Sequence, residues 1–313
     1  MHRGAFRWGT FLWGTVLLGF DAMTVILTQP SSTKPQRPKA SGPAAEDSVY
    51  SLRLAKGPRD LRAAQHLRYQ VFVRELGATG PLVDHAAELE RDEFDPHVDH
   101  LLLIDNRADP ETLTDVVGVY RLLPPDRLAL TGDYYCASEF DLTPLMISGR
   151  PLLELGRSCV HPDHRGGAAM YLLWQGLANY VLERGIEVLF GAASFHGTQA
   201  EPLTQPLAWL HHHHLAPEAL RVRPVAEGRQ PMDLIAPAAL NRTAAMAAMP
   251  ALIRAYLRLG GFVSDGAFID RAFNTIDVCL VMDTAQMSAK HRAFYTRKSV
   301  STPRSGPRSG RQG

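Results

Sequence analysis

The chain has 313 residues, 45% of them hydrophobic and 21% charged, with a formal net charge of +1. That length suits one large domain or two small ones with a proper core, and the balanced charge offers no global attraction for nucleic acid. Three widely separated cysteines, Cys136, Cys159 and Cys279, form no CxxC pair, which argues for a reducing compartment and against a disulfide scaffold or a structural zinc site.

In chain order, Arg3 and Arg7 precede an apolar stretch, Trp8–Phe20, that resembles a signal-peptide core. No small-residue cleavage site follows it, and Asp21 stops its extension to a full membrane span. Met23 offers a second start. Three readings stand, in order of preference: an over-extended gene start, a weak membrane anchor, and secretion. Gln29–Asp47 is rich in Pro, Ser, Ala and Lys and reads as a flexible linker, so residues 1–47 are expected to be a mis-started or disordered segment. One continuous domain without an internal repeat is expected over 48–290. Residues 291–313 read as a basic disordered tail, with no acidic residue after Asp283. Such a tail is solvated by default, with contact to anionic lipid headgroups as its second use.

Within the domain, Tyr50–Leu54 reads as a first strand and Arg59–Leu76 as an amphipathic helix burying Leu61, Ala64, Leu67, Val71 and Leu76. Asp84–His100 carries Asp84, Glu88, Glu90, Asp92, Glu93, Asp95 and Asp99 against one arginine. It is either a solvated face or a lure for a substrate with two amines. Val98–Ile104 and Asp115–Leu123 are strand-like, the latter with the β-branched density of a central strand. An apolar run at 152–160 then meets Arg165-Gly166-Gly167 and a helix over 166–184, in which Met170, Leu173, Trp174, Leu177 and Val181 recur at helical spacing. Glu187–Ser194 is a buried strand, Leu203–His213 and Pro250–Leu259 are helical, and Ile276–Met282 closes as a strand. Mixed strands with helices on both faces predict an α/β or α+β fold.

Chemistry concentrates around the strand at 152–160. The paired glycines permit a tight turn with close approach to the backbone. The unpartnered N–H groups of the helix that follows offer a cradle for phosphate, and a plain structural turn is the equal alternative. Neither a Gly-Lys-Ser/Thr ending nor Gly-x-Gly-x-x-Gly is present, so the triphosphate and dinucleotide loops are excluded. Glu154 and Val160, six residues apart on one strand, are expected on the same face. Arginine is costly to bury unpaired, so Arg121 and Arg157 are expected to meet carboxylates, with Asp92, Asp95 and Glu154 as candidates. His211–His214 point around a helix rather than toward one ion. One or two of them, and His196 in the Ser-Phe-His-Gly turn, are expected to line a groove, and no metal is expected.

The strand ending in Val160-His161-Pro162, the glycine turn and the long helix resemble the acyl-donor site of the GNAT N-acyltransferases. The register Asp163-His164-Arg165-Gly166-Gly167-Ala168 departs from that family's loop at its first position, which points to a pantetheine carrier other than acetyl-CoA. LRYQVFVREL, RDEFDPHVDHLLLID, VVGVYRLLP and LELGRSCVHPDHRGG are similar, in that order, to blocks of acyl-homoserine-lactone synthases. With FHGTQAEP, WLHHHHLAP, YLRLGGFVSDGAF and DRAFNTIDVCLVM, the chain resembles more closely the L-ornithine Nα-acyltransferases of bacterial ornithine-lipid synthesis. The resemblance implies a single-domain GNAT-like mixed sheet. It implies transfer of a 3-hydroxyacyl chain from acyl carrier protein to the α-amine of L-ornithine, giving lyso-ornithine lipid. No resident cofactor is implied, because phosphopantetheine arrives on the carrier protein, and the work would be done in the cytoplasm, peripherally at the inner membrane face.

Carried onto this sequence, Glu154 stands where many GNAT enzymes hold their general base; the other reading is a structural glutamate bonded to Arg157 or Arg121. Arg68, Phe72, Arg121 and Arg157 match the arginine and aromatic positions of the lactone-synthase blocks. With Asp92, Asp95 and His196 they form either a substrate entrance or a purely structural network. Cys159, Val160, Arg165, Gly166, Gly167 and Ala168 would hold the phosphopantetheine. Two other functions stay open: a homoserine-lactone-type signal synthase, and a non-catalytic acyl-binding module.

Overall fold

The computed structural model describes residues 48–80, 83–165 and 168–286. The Trp8–Phe20 stretch, the linker, the Gly166-Gly167 pair and the basic tail lie outside the described residues. Seven principal strands form where the sequence is apolar on alternate or on both sides: β1 (Tyr50–Leu54), β2 (Asp99–Asp105), β3 (Val116–Leu123), β4 (Leu152–Val160), β5 (Val188–His196), β6 (Ala267–Asp270) and β7 (Thr275–Asp283). They run in the order β1-β2-β3-β4-β5-β7-β6, with short strands Arg229–Gln230 beyond β6 and Phe262–Val263 on β7. The longer helices are α1 (Pro58–Arg68), α2 (Ala168–Arg184), α3 (Thr204–His214), α4 (Arg242–Ala248) and α5 (Ala251–Arg258), with two short ones at Leu128–Thr131 and Thr143–Ile147.

The period of two sorts side chains between two cores. Leu101, Leu103, Val278 and Leu280 face Leu173 and Leu177 of α2 and Ile253 of α5. Their neighbours Leu102 and Ile104 face Ala63, Ala64 and Leu67 of α1, while Cys279 and Val281 face a loop layer built on Tyr134, Phe140 and Leu145. Helices therefore cover both faces, and every residue of β3 and β7 is buried. This is the mixed α/β sheet that the sequence predicts. Among the described residues no helix is long and apolar enough to cross a membrane.

Two local features depart from the sequence reading. The helix expected over Arg59–Leu76 is α-helical only to Arg68 and continues as a π-helix, Tyr69–Glu75; hydrophobic spacing carries no mark of the wider turn. The strand β4 is also bulged. Val119 pairs with Cys159, but Arg121 pairs with Gly156, and Arg157 between them adopts a left-handed φ of 49°, a conformation that L side chains take at a cost. The extra residue reverses the alternation. Glu154 points toward the loop layer, where it bonds Tyr135 and Cys136, and Val160 packs in the opposite core under α2. The two do not share a face.

The bulge adjoins the main architectural event. β4 and β5 are parallel and pair only over Leu152–Glu154 with Val188–Phe190. Past that point β5 stays with β7 as far as His196, and β4 stays with β3 as far as Val160, so the sheet splits. At the fork Gly191 passes so close to Leu155 that a Cβ there would lie 2.1 Å from the Leu155 carbonyl oxygen. Backbone cannot yield as a side chain does. Gly191→Ala is therefore expected to destabilise the fold by about 1–3 kcal/mol, read from urea unfolding midpoints; an unchanged midpoint would show that the fork is not tightly set.

Candidate active site

The split sheet opens a cavity of about 1150 Å³, roomy against the volumes usual for small-molecule sites. Its floor is the diverging backbone of β4 (Leu155–Ser158) and β5 (Leu189–His196), and apolar side chains including Leu76, Val98, Leu123, Met246, Met249 and Leu252 make its walls. Phe72, from the π-helix, lies on the wall, as do Arg121, Glu154, Arg157 and His196. Five residues predicted from sequence are thus brought together by elements far apart in the chain.

Arg68, Asp92 and Asp95 stand behind that wall. Arg68 is fully buried; it bonds the Glu90 carboxylate and backbone carbonyl and reaches Asp95 at 2.6 and 2.8 Å. Arg121 bonds Asp92 and lies 3.6 Å from Asp95, and Arg157 meets Glu90 at 3.2 Å and Asp92 at 3.1 Å. Burial pushes Asp95 up, but the Arg68 guanidinium more than offsets this and holds the carboxyl far below its usual range. The Tyr135 ring lies against both cavity arginines, 4.9 Å from Arg121 and 4.6 Å from Arg157, and the Phe273 ring also lies 4.6 Å from Arg157. The acidic run 84–99 is thus neither simply a solvated face nor simply a lure. Glu90, Asp92 and Asp95 turn inward as counter-ions.

Glu154 takes no part in those pairs; its carboxylate accepts Tyr135 N–H at 2.8 Å and Cys136 N–H at 2.7 Å. It is 4% exposed, and burial raises its pKa while the Cys136 thiol and the two backbone bonds oppose the rise. The expected partners Arg121 and Arg157 are replaced by backbone because the turn Tyr135–Ser138 folds directly over it. The same turn carries Glu139 into the cavity, where its ligand oxygens lie within 4.8 Å of those of Asp270 and Asp277. Burial, then the neighbouring carboxylates, raise the pKa of both Glu139 and Asp277. Sequence reading missed this trio. The one available signal was Asp277, a lone carboxylate inside the apolar run Ile276–Met282.

The donor loop is only partly as expected. Arg165 is committed to a two-pronged pair with Glu75, at 2.6 and 2.5 Å, and to the Val160 carbonyl at 2.9 Å. Cys159 packs under α1 with Val119, and burial pushes its thiol up to about 12; its side chain and that of Val160 serve the two cores. Ala168 opens the described part of α2 and is exposed. The four consecutive histidines do not line the groove as expected: His212 bonds the Ile235 carbonyl at 3.0 Å, His213 stacks on Trp209 at 3.9 Å, and His211 faces Asp265 at 4.0 Å. Successive residues on a helix point 100° apart, which sends each to a different neighbour.

Residues 67–175 match the acetyltransferase (GNAT) domain family. The L-ornithine N(alpha)-acyltransferase of Rhodobacter capsulatus is 64% identical over 255 residues, covering 82% of this chain and 98% of that protein. The protein of the same name from Brucella abortus is 38% identical over 247 residues, covering 78% of this chain and 88% of its own. Among solved structures, the acyl-homoserine-lactone synthase LasI aligns with a TM-score of 0.43 and 15% identity, over 82% of this chain and 98% of that one.

Arg68→Ala leaves Glu90 and Asp95 buried with only the more distant Arg157 and Arg121 to offset their charge, and is expected to cost about 3–5 kcal/mol in denaturant unfolding; a loss no larger than that of an exposed pair would mean the network relaxes freely. Glu139 and Asp277, whose pKa values are raised, should make stability depend on pH. A carboxyl whose folded pKa is raised binds more protons folded than unfolded, so the stability it contributes is present at low pH and is lost as pH rises from the ordinary carboxylate range through the raised values. Asp277→Asn should therefore gain on the native protein as pH moves from mildly acidic to mildly alkaline. A pH-independent difference between the two would contradict this.

Proposed function

The chain belongs to the L-ornithine N(alpha)-acyltransferase family, and we propose that it moves a 3-hydroxyacyl chain from acyl carrier protein to the α-amine of L-ornithine, giving lyso-ornithine lipid. The observation that carries this reading is the cavity itself. It joins an apolar wall long enough for an acyl chain to a polar end with Glu154, Arg157 and three further carboxylates.

The reaction needs an amine nitrogen without its extra proton, a reachable thioester carbonyl and an exit for the thiol. The nitrogen attacks the carbonyl carbon, the C–S bond breaks, and the sulfur leaves on the pantetheine arm with the second amine proton. Glu154 is the proposed acceptor of the first proton, through a water. Its oxygens hold two backbone N–H groups and the Cys136 thiol, which leaves one acceptor position of the carboxylate open, and burial raises its basicity. The bulge at Arg157 frees the β4 edge beside the thioester, in the gap where β5 has moved away. Phosphopantetheine belongs to the substrate, so no resident cofactor enters the scheme. With Arg165 held by Glu75, anchoring of the phosphate falls to the glycine turn and the start of α2. A lipid product and a carrier in the cytoplasm place the work peripherally at the inner membrane face.

Purified protein incubated with 3-hydroxyacyl carrier protein and single amino acids should yield Nα-acylornithine by mass spectrometry. No product from ornithine would sink the proposal. Glu154→Gln should lower turnover by about 10²–10⁴-fold with carrier-protein binding retained. In the unaltered enzyme kcat should fall as pH drops through the raised pKa of Glu154, since only the carboxylate accepts a proton. Near-normal turnover of the glutamine variant would remove Glu154 from the role of base.

A further inference from the structure

The cavity's two charged regions are not equivalent. On one side Arg68, Arg121 and Arg157 are matched, three to three, by Glu90, Asp92 and Asp95. The positive charge of Arg157 is therefore already spoken for. On the other side Glu139, Asp270 and Asp277 gather without a salt bridge among the described residues, and only the charge of Arg157, already paired, reaches Glu139 and Asp277. Glu139 and Asp277 are each 4% exposed. Glu139 Oε2 and Asp277 Oδ1 are buried without a hydrogen-bond partner, and both residues line the cavity. A buried carboxylate oxygen left unbonded costs free energy that a ligand able to donate to it would recover.

We propose that Glu139, Asp270 and Asp277 are the subsite for the side-chain ammonium of a diamino-acid acceptor, and so determine the enzyme's choice of amino acid. This rests on the acyl-transfer reading above and deepens it. The geometry suits a primary ammonium: three acceptors each about 2.8 Å from one nitrogen in tetrahedral directions stand about 4.6 Å apart, and the three ligand oxygens lie within 4.8 Å of one another. The chemistry separates the acceptor's two amines. A site that stabilises –NH₃⁺ suppresses nucleophilicity, so the trio fits the amine that must not react, and the α-amine is left for Glu154. The chain makes the two sites neighbours, because Tyr135 and Cys136 hold Glu154 and Glu139 follows in the same turn. Asp270 is fixed by Ala272 and Phe273 N–H at 2.8 and 3.1 Å, and Phe273 in turn covers Arg157.

The test compares ornithine with norvaline, which has the same carbon chain without the terminal amine. For the native enzyme kcat/KM should favour ornithine by about 100-fold or more, since a site built to bond a polar group strongly rejects the analogue that lacks it. In the Glu139→Gln/Asp277→Asn double variant that ratio should fall by about 10-fold or more, and so should the thermal shift that ornithine gives the free protein. Asp270→Asn, at a less buried position, is the second variant should the double one fail to fold, with a loss of selectivity in the same direction. An ornithine-to-norvaline ratio unchanged in folded variants overturns the subsite. It is equally overturned if Mg²⁺ or Ca²⁺ stabilises the native protein through these residues while ornithine does not, for then the trio is a metal site. A native enzyme that acylates neither amino acid refutes the acyl-transfer reading itself, and the subsite with it.

Discussion

Two parallel strands that begin to pair and then part set the terms for everything else in this molecule. Over Leu152–Glu154 the β4–β5 ladder is ordinary sheet. One residue later the close passage of Gly191 against Leu155 leaves no volume for a side chain, and the sheet becomes two wings. A parting of this kind exposes backbone edges and opens a hole in the core, both of which are unfavourable unless something stands in the gap. The wings are held apart by rigid flanks: β5 by its unbroken pairing with β7, β4 by β3 and the ion network behind it. The opening is therefore a property of the resting fold and needs no ligand to create it.

The network and the carboxylate trio divide the electrostatic labour. Buried pairs are a poor source of net stability, because removing charges from water costs nearly what their attraction returns. Their use here is positional. Arg121 and Arg157 are locked by carboxylates on one edge and by Tyr135 on a face, so the polar wall of the cavity is fixed before any substrate arrives. The trio is the reverse, carboxyl groups crowded together with unmet bonding capacity. Glu154 is within electrostatic reach of both Arg121 and Glu139, tied by backbone to the turn that also delivers Glu139.

Sequence periodicity located the β-rich body well. Runs such as Asp115–Leu123 and Ile276–Met282 agree with the observed strands to within about a residue, because a strand buried on both faces has little freedom in composition. The residues that make the site work were harder to see. The bulge that turns Glu154 and Val160 to opposite faces rests on an arginine in left-handed conformation, and its one mark in the sequence is the neighbouring Gly156 inside the strand. Arg68 read either as part of a substrate entrance or as part of a structural network; its full enclosure by Glu90 and Asp95 is what the second reading describes. Glu139 follows a short turn whose sequence has no motif, and its significance comes only from Asp270 and Asp277, more than a hundred residues away in the chain. His211–His214, by contrast, drew attention through composition alone.

The three cysteines carry a practical consequence. Cys136, Cys159 and Cys279 are all buried and free, and enclosure pushes every one of the thiols up, so that thiolate is scarce at neutral pH. Alkylating reagents need the thiolate and a path to it, and the native fold supplies neither. A single cysteine introduced at an exposed position such as Ile147 or Leu182 would thus be the fast-reacting thiol of the folded chain. Fluorophores or spin labels could be attached there to follow the two wings of the sheet during turnover, with the native cysteines left in place.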